Sequence, residues 1–81
     1  MKTPFSGRDE FGFLGIVDGI KSLEKGRVIK ADLEDLPGVH HVEILEQGAR
    51  IRFDPDIVNE RQFEEAVRIA GFQASGFQMA A

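Results

Sequence analysis

The 81 residues contain no cysteine. That removes two common staples of a small chain, the disulfide and the thiolate-bound metal, and leaves the redox compartment open. A chain of this length buries only about 60% of the surface its unfolded form exposes. A regular hydrophobic core must therefore hold it together. No run approaches the ~20 apolar residues of a membrane-spanning helix, so no direct membrane insertion is expected. The opening stretch "MKTPFSGRDE" lacks the apolar segment of a signal peptide, which makes the cytoplasm the default expectation. Clusters of Lys and Arg are missing too. The net charge is −4 and the bases are scattered among acids, so no nucleic-acid partner is expected. There is no Ser-His-Asp spacing, no phosphate-binding glycine loop and no recognisable carboxylate pair; the expectation is that the protein is not an enzyme and needs no cofactor. Internal repeats are absent. Residues 1–10 read as an N-terminal tail and residues 11–81 as one domain.

What is present is a definite order of elements. "FGFLGIVDG" (11–19) is rich in Phe, Ile and Val and reads as a strand, although Gly12 and Gly15 weaken it or admit a close neighbour. "SLEKGRVIKADLEDL" (22–36) reads as a helix. Ile29, Leu33 and Leu36 fall on one stripe of a 3.6-residue period, Ser22 is positioned to cap the helix, and Pro37-Gly38 stop it. Gly26 within the first turns costs up to about 1 kcal/mol against Ala, which implies a packing reason.

"VHHVEILEQGARIRFD" (39–54) alternates on both sides of Gln47-Gly48. With those two residues as a tight turn, Ile44 faces Ile51 and Val42 faces Phe53 on a core side. On the other side Glu43 faces Arg52 and His41 faces Asp54. "DPDIVNERQFEEAVRIAGF" (54–72) reads as a second helix. Asn59 and Gln62 make a capping box, Val58 and Phe63 a hydrophobic staple, and Gly71 a left-handed stop. Phe63, Ala66, Val67 and Ala70 form its buried stripe. "FQASGFQM" (72–79) reads as a last strand. The acidic stretches "DLEDL" and "NERQFEE" are solvated helix faces.

The order β-α-β-β-α-β predicts an α+β fold, a ferredoxin-like sandwich. Its four-stranded antiparallel sheet carries both helices on one face and leaves the other face open.

The stretches "LEDLPGVHHVEI" and "IRFDPDIVNERQFEEAVRIAGFQA" resemble the heavy-metal-associated domain of copper chaperones and of the N-terminal modules of metal-pumping P-type ATPases. That family shows a helix ending in Leu-x-x-Leu-x-Gly-Val, a Val-x-Val strand, a Phe-Asp or Tyr-Asp-Pro turn, a polar-capped helix and a closing Gly-Tyr or Gly-Phe. The resemblance covers roughly residues 13 to 75. It implies that Gly19 and Ile20 stand for the family's Gly-Met, and that Ser22 and Lys25 occupy the positions of its two metal-binding cysteines. Phe72 matches the aromatic residue that flanks this loop. A Ser hydroxyl stays protonated near neutral pH and a Lys ammonium has no free lone pair, so metal binding is not carried over to this loop.

Other sites can be weighed beside it. His40 and His41 are adjacent, so on a strand they point to opposite faces and cannot chelate one ion together. His41, Glu43 and Asp54 form a candidate hard-metal cluster on the open face, against a plainer reading as a surface ion-pair ladder. The resemblance further implies that Gly15 and Val17 point to the helices, leaving Leu14, Ile16, Leu45 and Phe77 as a candidate partner surface on the open face. A one-residue bulge in the glycine-rich first strand would exchange those faces, and a tail folding back through Phe5 would cover the patch. Three readings follow: a protein-interaction or regulatory module that has lost its metal site, an atypical metal-trafficking domain with non-Cys ligands, or a small-ligand sensor at the cleft between the Ser22 loop and Phe72. For the first, the expected partner is another protein, a membrane metal transporter among the candidates, or a homodimer.

Overall fold

The computed structural model describes residues 9–80. The elements run β1 (Glu10–Ile16), α1 (Leu23–Glu34), β2 (Val39–Leu45), β3 (Gly48–Phe53), α2 (Glu60–Ile69) and β4 (Ala74–Met79). The sheet order is β2-β3-β1-β4 and every neighbouring pair is antiparallel. This is the expected β-α-β-β-α-β sandwich. Both helices lie on one face, α1 against β2 and α2 against β4, with the helices in contact between them. The alternative of a tail folded back through Phe5 lies outside the described residues.

Both helices begin as the sequence predicts. Ser22 accepts a hydrogen bond from the Lys25 backbone N–H, and the Asn59–Gln62 capping box is complete. Ile29 and Leu33 of α1 and Phe63 and Val67 of α2 are fully buried. Gly71 adopts φ of +96° as α2 ends, the left-handed stop that glycine takes without a Cβ penalty. Gly26 has a packing reason: a Cβ there would stand 3.1 Å from the Cγ2 of Ile44, so glycine lets α1 approach β2 closely.

The hairpin turn sits one residue earlier than expected. Leu45 pairs with Gly48, so Glu46-Gln47 form the loop in place of Gln47-Gly48. Pairing therefore shifts by two residues, which preserves the faces because the side-chain period is two. Val42 now faces Ile51 and Ile44 faces Ala49, while Glu43 faces Arg50 and His41 faces Arg52. The cause lies in β1. A Cβ at position 48 would come within 2.0 Å of the Leu14 carbonyl oxygen, so glycine is needed inside the strand, opposite Gly15.

The faces of β1 are the second correction. Leu14 and Ile16 are buried among the core residues, so neither belongs to a surface. Phe77 is also a core contact, packed edge-on to Phe53 at 5.8 Å and tilted against Phe63 at 5.2 Å. Gly12 explains this placement: a Cβ there would fall 2.1 Å from the Phe77 Cζ, so Phe77 fills the space that glycine leaves under the helices. Burying Leu14 and Ile16 removes far more apolar surface from water than burying Gly15 and Val17 would. Pairing with β4 absorbs the change through one extra residue, Ser75, between the Gly15–Gly76 and Ile16–Ala74 pairs.

Candidate functional site: the loop into α1

The loop from Val17 to Ser22 joins the central strand to α1 and is tied down on two sides. Val17 donates to the Gln73 carbonyl at 2.8 Å, and Ile20 donates to the Glu46 carbonyl at 2.8 Å. Asp18 and Gly19 both have positive φ, 66° and 72°. Asp tolerates this conformation through its short polar side chain and Gly through its missing Cβ. A Cβ at Gly19 would also meet the Glu46 carbonyl oxygen at 2.8 Å. The backbone path is therefore fixed by hydrogen bonds and close approach, without any metal ligand.

The Ser22 hydroxyl is committed to the backbone. It accepts the Lys25 N–H at 3.2 Å, while the Ser22 carbonyl accepts from Gly26 at 3.0 Å. Lys25 itself is exposed. The family loop positions divide between two clefts. Gly19, Lys25 and Phe72 line one of about 370 Å³, together with Asp18, Lys21 and Gln73. Ile20 and Ser22 line another, of about 450 Å³, against Ile44 and Glu46. Phe72 is half-buried and packs against the core. The first cleft thus presents two ammonium groups and one carboxylate around an aromatic wall. Its chemistry suits an anion or a polar molecule better than a soft cation.

The hard-metal candidates are not brought together. Asp54 is 5% exposed and belongs to the turn after β3, where its Oδ1 accepts the Asp56 N–H at 2.9 Å and its own N–H donates to the Gly38 carbonyl. Glu43 is bound to Arg50 at 2.8 Å. Among the described residues no group of three or more His, Asp or Glu stands close enough to hold an ion. His41 stays on the open face, opposite Arg52.

Leu45 remains on the open face as expected, 37% exposed. Phe11 and Phe13 lie on the same face but on β1, with β3 between them and Leu45; sequence reasoning read them only as strand residues. The available signal was their spacing of two around Gly12, which places both rings on one side of the strand.

No protein-family model and no curated relative matches the sequence. Solved structures do resemble it. A copper binding domain from HMA7, a P-type ATPase, is 24% identical over 91% of this chain and 95% of its own, with a TM-score of 0.70. Oxidized MerP from Ralstonia metallidurans CH34 is 19% identical over 83% and 94%, at 0.73. The CopZ metallochaperone is 19% identical over 82% and 97%, at 0.70. Among the described residues no helix is long and apolar enough to cross a membrane. The chain has the ferredoxin-like fold of these heavy-metal-associated domains, and it has it without a single cysteine.

Proposed function

We propose that this chain is a non-catalytic interaction or regulatory module, a heavy-metal-associated fold whose thiolate chelate has been replaced. One observation carries the reading. The position of the first family cysteine is taken by a Ser22 hydroxyl already engaged as a helix cap, and the second by the exposed Lys25 ammonium. Cu(I) and similar ions are selected by soft thiolate ligands. A protonated hydroxyl is a neutral, hard oxygen donor without the charge of a thiolate, and an ammonium has no free lone pair; Lys21 beside the same cleft adds a second cation. The proposed location is the cytoplasm. The kinship of fold with a P-type ATPase domain and a metallochaperone supports a place near metal transport, with another protein, a membrane metal transporter among the candidates, as partner.

A second reading has its own support. The Lys21–Lys25–Phe72 cleft fits a small anionic ligand, as a sensor would need. Titration of isotope-labelled protein with Cu(I), Zn(II), Ni(II) and small anions, followed by NMR, separates the readings. The module reading expects metal-induced shifts no stronger than those of any surface carrying His and Met. Saturable anion shifts around Lys25 and Phe72 would favour the sensor. Stoichiometric capture of Cu(I) from a high-affinity chelator, with shifts centred on Ser22, would overturn the module reading and restore metal trafficking.

A further inference from the structure

The sheet has two edges, and they are guarded differently. β2, on one side, carries Glu43 and two histidines and breaks its register between Val39 and His41. Charge and irregularity of this kind discourage another strand from pairing with an edge. β4, on the other side, reads Ala-Ser-Gly-Phe-Gln-Met, with no charge and no proline. Its pairing with β1 shifts at Ser75 and is regular over residues 76–79. The Ala80 N–H donates to the Phe11 carbonyl at 2.9 Å, so Ala80 turns toward β1. Direction alternates along an antiparallel ladder, so Gln78 and Gly76 turn the same way. Phe77 and Met79 then turn their backbone N–H and C=O groups outward, where β4 has no neighbouring strand.

A groove accompanies this edge. About 550 Å³ of open space lies between β4 at Ala74, Ser75 and Gly76 and α2 at Arg61, Glu64 and Arg68. Arg68 is paired with Glu65 at 2.7 Å. Arg61 and Glu64 carry opposite charges one turn apart, and among the described residues neither has an ion-pair partner. Glu64 is half-buried, so its carboxylate has given up part of its hydration with no cation in return.

These features define what fits. Outward N–H and C=O groups two residues apart are complemented by another extended backbone. A strand added beside β4 points every second side chain toward the helices, into the groove along α2. Every pair in this sheet is antiparallel, the more stable arrangement per residue. α2 turns back into β4 within residues 70–73, so a strand antiparallel to β4 runs in the direction of α2. The three residues from Arg61 to Glu64 rise ~4.5 Å along the helix. Two strand residues span ~6.8 Å, a mismatch that a long Arg side chain absorbs.

We infer that the free edge of β4 takes up an extended segment of another protein as a fifth, antiparallel strand, with an acidic side chain facing Arg61 and, two residues later, a basic one facing Glu64. This rests on reading the chain as an interaction module and names the form and charge order of its partner. The contact is a few residues long and correspondingly weak.

A display library of short random peptides, selected on the full chain, supplies the probe. The peptides recovered should carry Asp or Glu two residues before Lys or Arg. In NMR titrations they should shift the Phe77 and Met79 amides and slow their exchange with solvent. Glu64→Lys, checked for folding by circular dichroism, should weaken a selected peptide by about twofold to fivefold. Replacing that peptide's base by Glu should restore binding to the variant and weaken binding to the wild type. A peptide N-methylated where it donates to β4 should lose binding to the unmutated chain. Failure to recover any peptide overturns the inference, and so do shifts centred on the groove between α1 and α2, on the open sheet face or on the Lys21–Lys25 cleft. Phe77 and Met79 amides already slow to exchange in the free chain also overturn it, because the edge is then held by a second copy or by residues 1–8. Cu(I) capture at Ser22 would instead defeat the module reading and leave the peptide result standing, so the two failures are distinguishable.

Discussion

The two helices enter the fold through the same hydrogen bond and with opposite completeness. At α2, Asn59 accepts the Gln62 N–H at 3.2 Å and the Gln62 side chain accepts the Asn59 N–H at 3.1 Å. Val58 before this cap and Phe63 after it are buried in one core. At α1, Ser22 accepts the Lys25 N–H at 3.2 Å, but Lys25 has no acceptor with which to reciprocate. The staple positions there are Lys21 and Gly26, a charge and a bare backbone. One entrance is a structural joint in every part. The other keeps the minimum needed to start a helix. The difference separates two tasks, holding the helix and presenting a ligand, that a metal-binding loop performs together.

The sharpest way to break this contrast is to remove the staple. Phe63→Ala should cost about 3–5 kcal/mol, because the cavity opens beside Phe53 and Phe77, whose rings lie 5.1 and 5.2 Å from it. For a domain of this size that is a large part of the total stability. Urea unfolding monitored by circular dichroism measures it, and a loss below about 1 kcal/mol would contradict the core assignment. The caps come next. Asn59→Ala should cost about 1–2 kcal/mol and Ser22→Ala about 0.5–1 kcal/mol. If Ser22→Ala proved the more costly of the two, the entrances would not differ as described. Gly26→Ala should stay close to neutral in the same assay. A gain in helix propensity of up to about 1 kcal/mol is offset by the tight approach to Ile44.

The smallest effect is electrostatic. The hydrogen bond from the Arg68 guanidinium, and then its charge, hold the Glu65 carboxyl below its ordinary range. A depressed carboxyl contributes stability above its unfolded pKa, and that contribution is lost as pH falls through the folded value. Both groups are exposed, so the contribution is minor. An NMR pH titration of Arg68→Gln should show the Glu65 carboxyl moving up toward the ordinary range. An unmoved titration would assign the shift to some other cause.

Legibility in the sequence followed how local each determinant is. The α2 cap, its staple and its glycine stop depend on residues within one turn of each other, and all could be read directly. The faces of the hairpin were readable for the same reason, since alternation is a local property. The turn position was not, because Gly48 is demanded by the Leu14 carbonyl of a strand more than thirty residues away. The faces of β1 turned on Gly12 making room for Phe77, again a contact between chain ends. That one exchange removed Leu14, Ile16 and Phe77 from the candidate surface and put Phe11 and Phe13 there. The loop was readable as a candidate site through the resemblance that sets Ser22 and Lys25 at the family's two cysteine positions. Its division into two clefts depended on how Ile20 docks to Glu46, which no local pattern records.

The proposed function requires that the loop keep the path of a metal-binding loop with Ser22 and Lys25 in place of two thiolates. Ser22→Cys combined with Lys25→Cys tests it most directly, with the wild-type chain in parallel, by competition for Cu(I) against a high-affinity chelator. Two thiolates at the start of a helix are favoured in their ionised form. The double variant should therefore take up one Cu(I) per chain and the wild type none. A wild-type chain that captures Cu(I) stoichiometrically would contradict the account, and so would a double variant that folds normally yet leaves the metal with the chelator.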